Sequence, residues 1–557
     1  MSQPVNPELD RLSREFWDYS LAHSPMEATL IGVHDYDHDF DQVSREAEDA
    51  NIAALREFAA AAEAIDPATL TPDERITREV LIFEAGTTAD VLETRAAEWG
   101  VSHIFGIQTQ LPVFFPQMTL SEPEHALAMV DRLRAVGRYF DQASERLREG
   151  AGKGMVPMRS TAEKTADQVD ALLAQDPSPL LQIQAPEGWD GEDAWREDLK
   201  QAYEEHVAPA LARWRDTIRE VVVPAARPDD HPGICHLPGG EEAYPKSIYR
   251  FTSTRLSPQE IHQIGLDQIA KLADEYREIA GPVLGTTDLA EIFKRMREDP
   301  ELRYQESEPI VAASEAAVEK AKAAMGDWFG RLPRADCVVT ATPHGPAAYY
   351  FPPASDGSRP GTFFINTSDP AKWATYEIEA LAYHEAIPGH HLQLAISTEL
   401  ENIPEFRKYA LLSGYAEGWG LYTKRLADEM GLYGSPLDRI GMLSADSLRA
   451  GRLVVDTGIH ALGWTRQQAI DFLKENSPMS QVGIENEVDR YIALPGQATA
   501  YMIGRLEIMR IRREAEEALG DRFDIKGFHD TVLGSGLVPL ETLDRMIKDW
   551  VASVQAG

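Results

Sequence analysis

Hydrophobic residues recur along most of this chain at intervals of three and four, with Ala, Glu, Arg and Gln between them, which predicts helices that each bury one face. Several of these runs open on a capping box, in which a Ser or Thr accepts from a backbone N–H three residues on while a Glu reaches back. Thr71 to Glu74, Ser121 to Glu124 and Ser257 to Glu260 all have this form. Pro72 and Pro258 sit directly after their caps, at the first helical position, where a missing N–H costs nothing. A helical amino-terminal half, residues 1–230, closes at the Pro/Gly-rich stretch PAARPDDHPGICHLPGGEEAYP, a boundary or a functional loop. The carboxy-terminal half is 231–557, and the whole chain reads as one functional unit. No repeat, coiled-coil register or low-complexity tract is found, so a solenoid has no support.

The helical pattern gives way between 336 and 366. DCVVTAT, AAYYF and GTFFIN are short, β-branched or aromatic, and separated by the turn sequences TPHGP and PPASDGSRPG. A small antiparallel sheet is expected there. It leads into Thr367, Ser368, Asp369 and Pro370, a helix-start signal. The fold class is therefore mainly α, with this sheet beside the helix that follows.

Charge removes several functions. The 557 residues carry a net charge of −37, so nucleic acid and anionic membrane surfaces would be repelled. Ten tryptophans and 43% hydrophobic residues mark a folded chain. No run approaches the roughly 18 apolar residues of a membrane span. Even LRAGRLVVDTGIHALGW is interrupted by Arg452, Asp456 and His460. The start, MSQPVNPELDRLSREFW, lacks the basic and then apolar pattern of an export signal, and Cys235 and Cys337 cannot make a disulfide framework. A reducing cytoplasm is the expected location.

The chemistry concentrates in ALAYHEAIPGHHLQLAI, which holds His384, Glu385, His390 and His391. In the zinc-hydrolase pattern H-E-x-x-H, two histidines one helical turn apart bind the ion and the Glu between them is a general base. Here the position of the second histidine is Pro388, which cannot ligate and which disrupts the helix, while Gly389 permits a sharp irregularity. In an ideal helix His390 lies about 240° round from His384, and His391 lies on the same face but about 10.5 Å along the axis. Neither serves without a break. A kink absorbing two residues brings His390 into place, so His390 is preferred over His391 as the second ligand of a Zn2+ ion. Three histidines and a glutamate around a Pro-Gly break sacrifice helix stability with no evident packing return, which favours metal binding over packed or solvated side chains.

A catalytic zinc keeps three protein ligands and one open position. Glu417, in SGYAEGWGLY, is the candidate third ligand, on the next helix after the motif, expected to pack antiparallel to it. A lone Glu is ordinarily a solvated surface group, but Tyr415, Trp419, Leu421 and Tyr422 predict burial, and a buried carboxylate needs a partner. Further along, Arg452, Asp456 and His460 recur every four residues on one face of an apolar helix. One reading has Asp456 orienting His460 toward an oxyanion and Arg452 paired to a carboxylate; the other is a buried structural network. In EVDRYIALPGQATAY, Arg490 and Tyr491 precede a Pro-Gly turn, and the Tyr491 phenol is either an oxyanion donor or a packed, hydrogen-bonded hydroxyl.

With HEAIPGHHLQ, SGYAEGWGLY, RLVVDTGIHALGW and RYIALPGQATAY in this order, the chain resembles the 885 family of bacterial domains of unknown function, which looks like a divergent branch of helical zinc metallopeptidases. LPGGEEAYPKSIYRFTSTRLSPQEIHQIGL and FHDTVLGSGLVPL also look like its blocks. The resemblance implies a helical body with a deep channel, His384, His390 and Glu417 as ligands, Glu385 as base, and a strand, AAYYF or GTFFIN, that pairs with a bound peptide. The expected activity is zinc-dependent hydrolysis of short peptides. The alternatives are a hydrolase or lyase of a small amide or amino-acid-derived metabolite, and a non-catalytic metal- or peptide-binding protein. Glu385, which an ion alone does not need, argues against the last.

Overall fold

Local signals set many of the helix starts in the computed structural model, which describes residues 6–343, 346–353, 359–401, 403–410 and 412–557. The capping boxes at Thr71 and Ser257 are both formed, opening the helices Pro72–Leu92 and Pro258–Glu275. The third is not. Pro123 takes the first helical position of Pro123–Lys153 and leaves Glu122 at the cap, so Ser121 lies outside, 3.4 Å from His125 Nδ1.

The core does not divide at residue 230. Leu9, Phe16, Leu55 and Val80 pack in one cluster with Tyr383, Leu392, Trp419 and Leu543. Glu79 is tied to Thr542 and Arg545 across this junction, at 2.8 and 2.9 Å. A second core, including Phe140, Trp195 and Trp214, lies wholly within residues 26–222. The Pro/Gly-rich stretch is a packed connection. The buried guanidinium of Arg227 donates to the carbonyls of Val156 and Pro232, and the helix Gly240–Thr252 begins inside the stretch.

The sheet has three strands, β1 (Cys337–Thr342), β2 (Ala348–Phe351) and β3 (Gly361–Asn366), in the order β1-β3-β2. It is mixed, not antiparallel. β2 and β3 form an antiparallel pair with Tyr350 opposite Phe363, whereas β1 runs parallel to β3 with Val339 opposite Phe363. β3 slots between the other two because its Phe363 and Ile365 are fully buried and belong at the centre. Both sides of β3 are thus occupied, which rules out GTFFIN as a strand for a bound peptide. AAYYF lies on an edge. Positions 344–345 of TPHGP and 354–358 of PPASDGSRPG lie outside the described residues.

The signal at Thr367–Pro370 yields only the single turn Pro370–Lys372, and the motif helix begins later, at Ile378. Between them the chain bridges to Arg303 at Ala374, where Tyr304 N donates to Trp373 O and Thr375 N donates to Leu302 O, and then turns at 375–377. Among the described residues, no helix is long and apolar enough to cross a membrane.

Candidate metal centre

The motif is two helices, not one bent helix. Ile378–Glu385 stops, Ala386 to Gly389 form an irregular turn, and His390–Thr398 begins a new helix. Gly389 is required where the chain doubles back: a Cβ there would lie 1.9 Å from the carbonyl oxygen of His384. The turn is fastened from the helix Ser413–Glu429, where Trp419 Nε1 donates to Pro388 O at 3.0 Å and Thr423 Oγ1 donates to Tyr383 O at 2.9 Å. That helix follows the short helix Glu405–Tyr409, so it is not the next helix after the motif. Of its three glycines, Gly414 allows close approach to the carbonyls of Phe251 and Thr252, Gly418 to Gly504, and Gly420 makes room for His384, whose ring would be 2.7 Å from a Cβ at that position.

This arrangement brings His384, His390 and Glu417 together. Nε2 of His384 lies 3.4 Å and Nε2 of His390 lies 3.5 Å from the same oxygen of Glu417, Oε2. These are poor hydrogen bonds, and Glu417 Oε2 is buried with no hydrogen-bond partner. They are good ligand spacings: tetrahedral ligands at about 2.0 to 2.1 Å from an ion stand about 3.3 to 3.4 Å apart, whereas octahedral neighbours stand about 3.0 Å apart. Two imidazoles and a carboxylate are also a donor set that suits zinc. Exposure rises from His384 (3%) through His390 (12%) to Glu417 (23%), so the cluster is closed behind and open at the Glu417 side.

Burial drives the electrostatics. It pulls His384 well below the ordinary imidazole range. Burial alone would raise the Glu417 carboxyl, but His384 and His390 outweigh it and hold Glu417 well below the usual carboxylate range. Glu385 is pushed up by burial and pulled back in part by His390. Lys424, seven residues after Glu417 and on the same helix face, is buried and brought down to about 7 by desolvation and by Arg449. Sequence reasoning missed Lys424 and Arg449. The signal was available: Lys424 sits two helical turns from Glu417, and Arg449 precedes Arg452 by three.

His391 turns away from the cluster. Its Nδ1 is 2.9 Å from the hydroxyl of Tyr350 on β2 and its Nε2 is 3.2 Å from Ala335 O.

Arg452, Asp456 and His460 all lie buried on the helix Pro436–His460, but Asp456 does not orient His460. Asp456 Oδ1 accepts from Tyr244 OH at 2.5 Å and Gly496 N at 3.0 Å. His460 Nδ1 accepts from Ile234 N at 3.2 Å and Nε2 donates to Tyr491 O at 2.9 Å, which leaves no donor for an oxyanion. Tyr491 is equally engaged: its hydroxyl donates to Glu487 at 2.6 Å and accepts from Arg452 Nε at 3.1 Å. Arg452 has the expected carboxylate partner, Glu487, at 2.7 Å. Arg490 donates to Gln497 and to Tyr501 OH, at 2.8 and 3.0 Å. Two of the proposed oxyanion groups therefore serve as ties between helices. A surface groove of about 650 Å³, lined by Glu275, Ile279, Arg425 and Met442, touches none of the three clustered ligands.

Fold and cluster together define a mainly helical protein with a His-His-Glu site across a broken helix. The chain belongs to the family described as "Bacterial protein of unknown function (DUF885)", whose profile matches residues 25–547. No curated protein matches it. Similar solved structures include two described as lipoproteins. One, titled a "putative lipoprotein" from Colwellia psychrerythraea, is 27% identical with a TM-score of 0.90, over 98% of this chain and 99% of that one. The other, "a putative lipoprotein of unknown function" from Shewanella oneidensis, shares the fold at 19% identity and a TM-score of 0.76, over 97% and 99%.

Proposed function

We propose that this chain is a zinc-dependent hydrolase of short peptides, with His384, His390 and Glu417 as the ligands and Glu385 as general base. The observation that carries this is the spacing of the two Nε2 atoms and Glu417 Oε2, too long for hydrogen bonding and right for a shared tetrahedral ion. A bound zinc ion supplies Lewis acidity, polarising a carbonyl and making water a better nucleophile near neutral pH. Glu385, next to His384 in the chain and electrostatically coupled to His390 and Glu417, takes the proton of the attacking water and delivers it to the leaving amine. Lys424 beside it favours the ionised carboxylate that a base requires. A reducing compartment is part of this proposal, resting on the free thiols of Cys235 and Cys337; cell fractionation tests it against the lipoprotein titles of the two similar structures.

The test is metal analysis followed by mass-spectrometric turnover of a mixed peptide and N-acyl amino-acid library. One zinc per chain and peptide cleavage are expected, and Glu385→Gln should keep the zinc while losing turnover. Turnover by Glu385→Gln equal to the parent removes the base. Cleavage confined to non-peptide amides favours the small-metabolite alternative, and a zinc-loaded parent without turnover favours the binding protein.

A further inference from the structure

Three arginines converge on one tyrosine close to the cluster. The guanidinium carbons of Arg452, Arg449 and Arg490 lie 4.5, 5.6 and 5.9 Å from the ring centre of Tyr501. They come from two helices, Pro436–His460 and Gln481–Ala493, and Tyr501 from a third, Ala500–Leu519. Cations over an aromatic face are attracted to it, but three of them repel one another. One carboxylate stands among them: Glu487 pairs with Arg452 at 2.7 Å and reaches Arg490 only at 3.5 Å. The nearby acid Asp456 accepts from Tyr244 and Gly496 through Oδ1, while its Oδ2 is buried and hydrogen-bonded to none of the guanidiniums.

The guanidiniums are also incompletely bonded. Arg449 Nε, Arg452 Nη1 and Arg490 Nε are buried and have no hydrogen-bond partner. A buried donor left unpaired is costly, and a charged one more so, so three around one ring are donors suited to a ligand's acceptor oxygens. The arginines lie near the metal centre, close enough for the charge of Arg449 to act on Glu417 and Glu385. In a chain of net charge −37, such a patch of three arginines with one paired carboxylate is also where an anion would be drawn.

We infer that Arg449 and Arg490 bind a free carboxylate of the substrate, with Arg452 held between them by Glu487 and Tyr491. This rests on the hydrolase reading for the position of the scissile bond and deepens it. The substrate class becomes short peptides or N-acyl amino acids with a free C-terminal carboxylate, the carboxylate on the guanidiniums and the preceding amide at the His384, His390 and Glu417 cluster. The Arg449 guanidinium suits a carboxylate because two parallel N–H groups match its two oxygens, and Arg490, whose Nη groups are engaged, adds its free Nε–H. A C-terminal amide presents one oxygen and no charge, so it should be rejected.

The experiment uses the full-length protein, with zinc content measured, and a library of N-acetyl dipeptides prepared as free acids and as C-terminal amides. Binding is read by ultrafiltration and mass spectrometry, and turnover is read separately. Free acids should be retained on the order of 100-fold more tightly than their amides, the scale expected for a buried charged hydrogen-bonded pair. Arg449→Gln and Arg490→Gln should bring acid and amide to within a few-fold, and Arg449→Lys should recover part of the preference. The comparison in the parent protein needs no variant to fold. Equal retention of acids and amides by the parent, or retention of neither, overturns the inference. Acid-selective binding without turnover supports the inference and removes the hydrolase reading, while turnover indifferent to the carboxylate does the reverse.

Discussion

His384 and His390, six residues apart across a broken helix, stand with ring centres 4.7 Å apart and planes at 79°, each presenting Nε2 to one oxygen of Glu417. A continuous helix would point them about 240° apart, so the pairing is the work of the turn at Ala386 to Gly389. The same turn sends His391 to Tyr350 and Ala335. His390→Ala should therefore lose zinc, and His391→Ala should keep it. Metal analysis of the two purified variants checks this, and the reverse pattern would assign the second ligand to His391.

Gly420 gives a subtler test, because it contacts the cluster without offering a ligand. A Cβ at this position would lie 2.7 to 3.0 Å from three atoms of the His384 ring, which is buried and cannot withdraw freely. Gly420→Ala should displace the imidazole, at an overpacking cost of roughly 1 to 3 kcal/mol. The variant should fold with a lowered Tm and bind zinc more weakly than the parent. A calorimetric zinc titration with unchanged affinity would show that the ring has room to move.

How far the sequence foretold this site depends on the kind of interaction. The gathering of His384, His390 and Glu417 was legible because few combinations of side chains suit a metal ion, and because aromatic neighbours announced that Glu417 is largely withdrawn from solvent. The small sheet was legible from β-branched and aromatic runs. Its strand order was not, since it depends on β3, with Phe363 and Ile365 buried, taking a neighbour on each edge. The oxyanion roles of His460 and Tyr491 failed for a related reason. Spacing placed Arg452, Asp456 and His460 on one face, but their partners Ile234, Tyr244, Glu487 and Gly496 arrive from other elements. Thr367–Pro370 misled because bridging to Leu302 and Tyr304 outweighs a local helix start.

The buried pair Asp456 and His460 makes a prediction about stability that is independent of any metal. Burial raises Asp456 to about 7 and lowers His460 to about 3. Asp456 holds its proton in the folded protein up to about pH 7 but loses it near pH 3.9 when unfolded, so its contribution is present at low pH and is lost as pH rises between those values. His460 stays neutral when folded but protonates near pH 6.5 when unfolded, so its contribution is present at higher pH and is lost as pH falls from about 6.5 toward 3. Between about pH 4 and 6.5 the two slopes, each about 1.4 kcal/mol per pH unit, oppose one another. Asp456→Asn removes one of them. Relative to the parent, this variant should gain stability as pH rises through that window, whatever constant loss the altered contacts to Tyr244 and Gly496 impose. Other titrating groups are common to both proteins and cancel in the difference. Urea titrations of parent and variant at about pH 4.5 and about pH 6.5 measure it. A stability difference that is the same at both values would mean that Asp456 is already ionised in the folded protein.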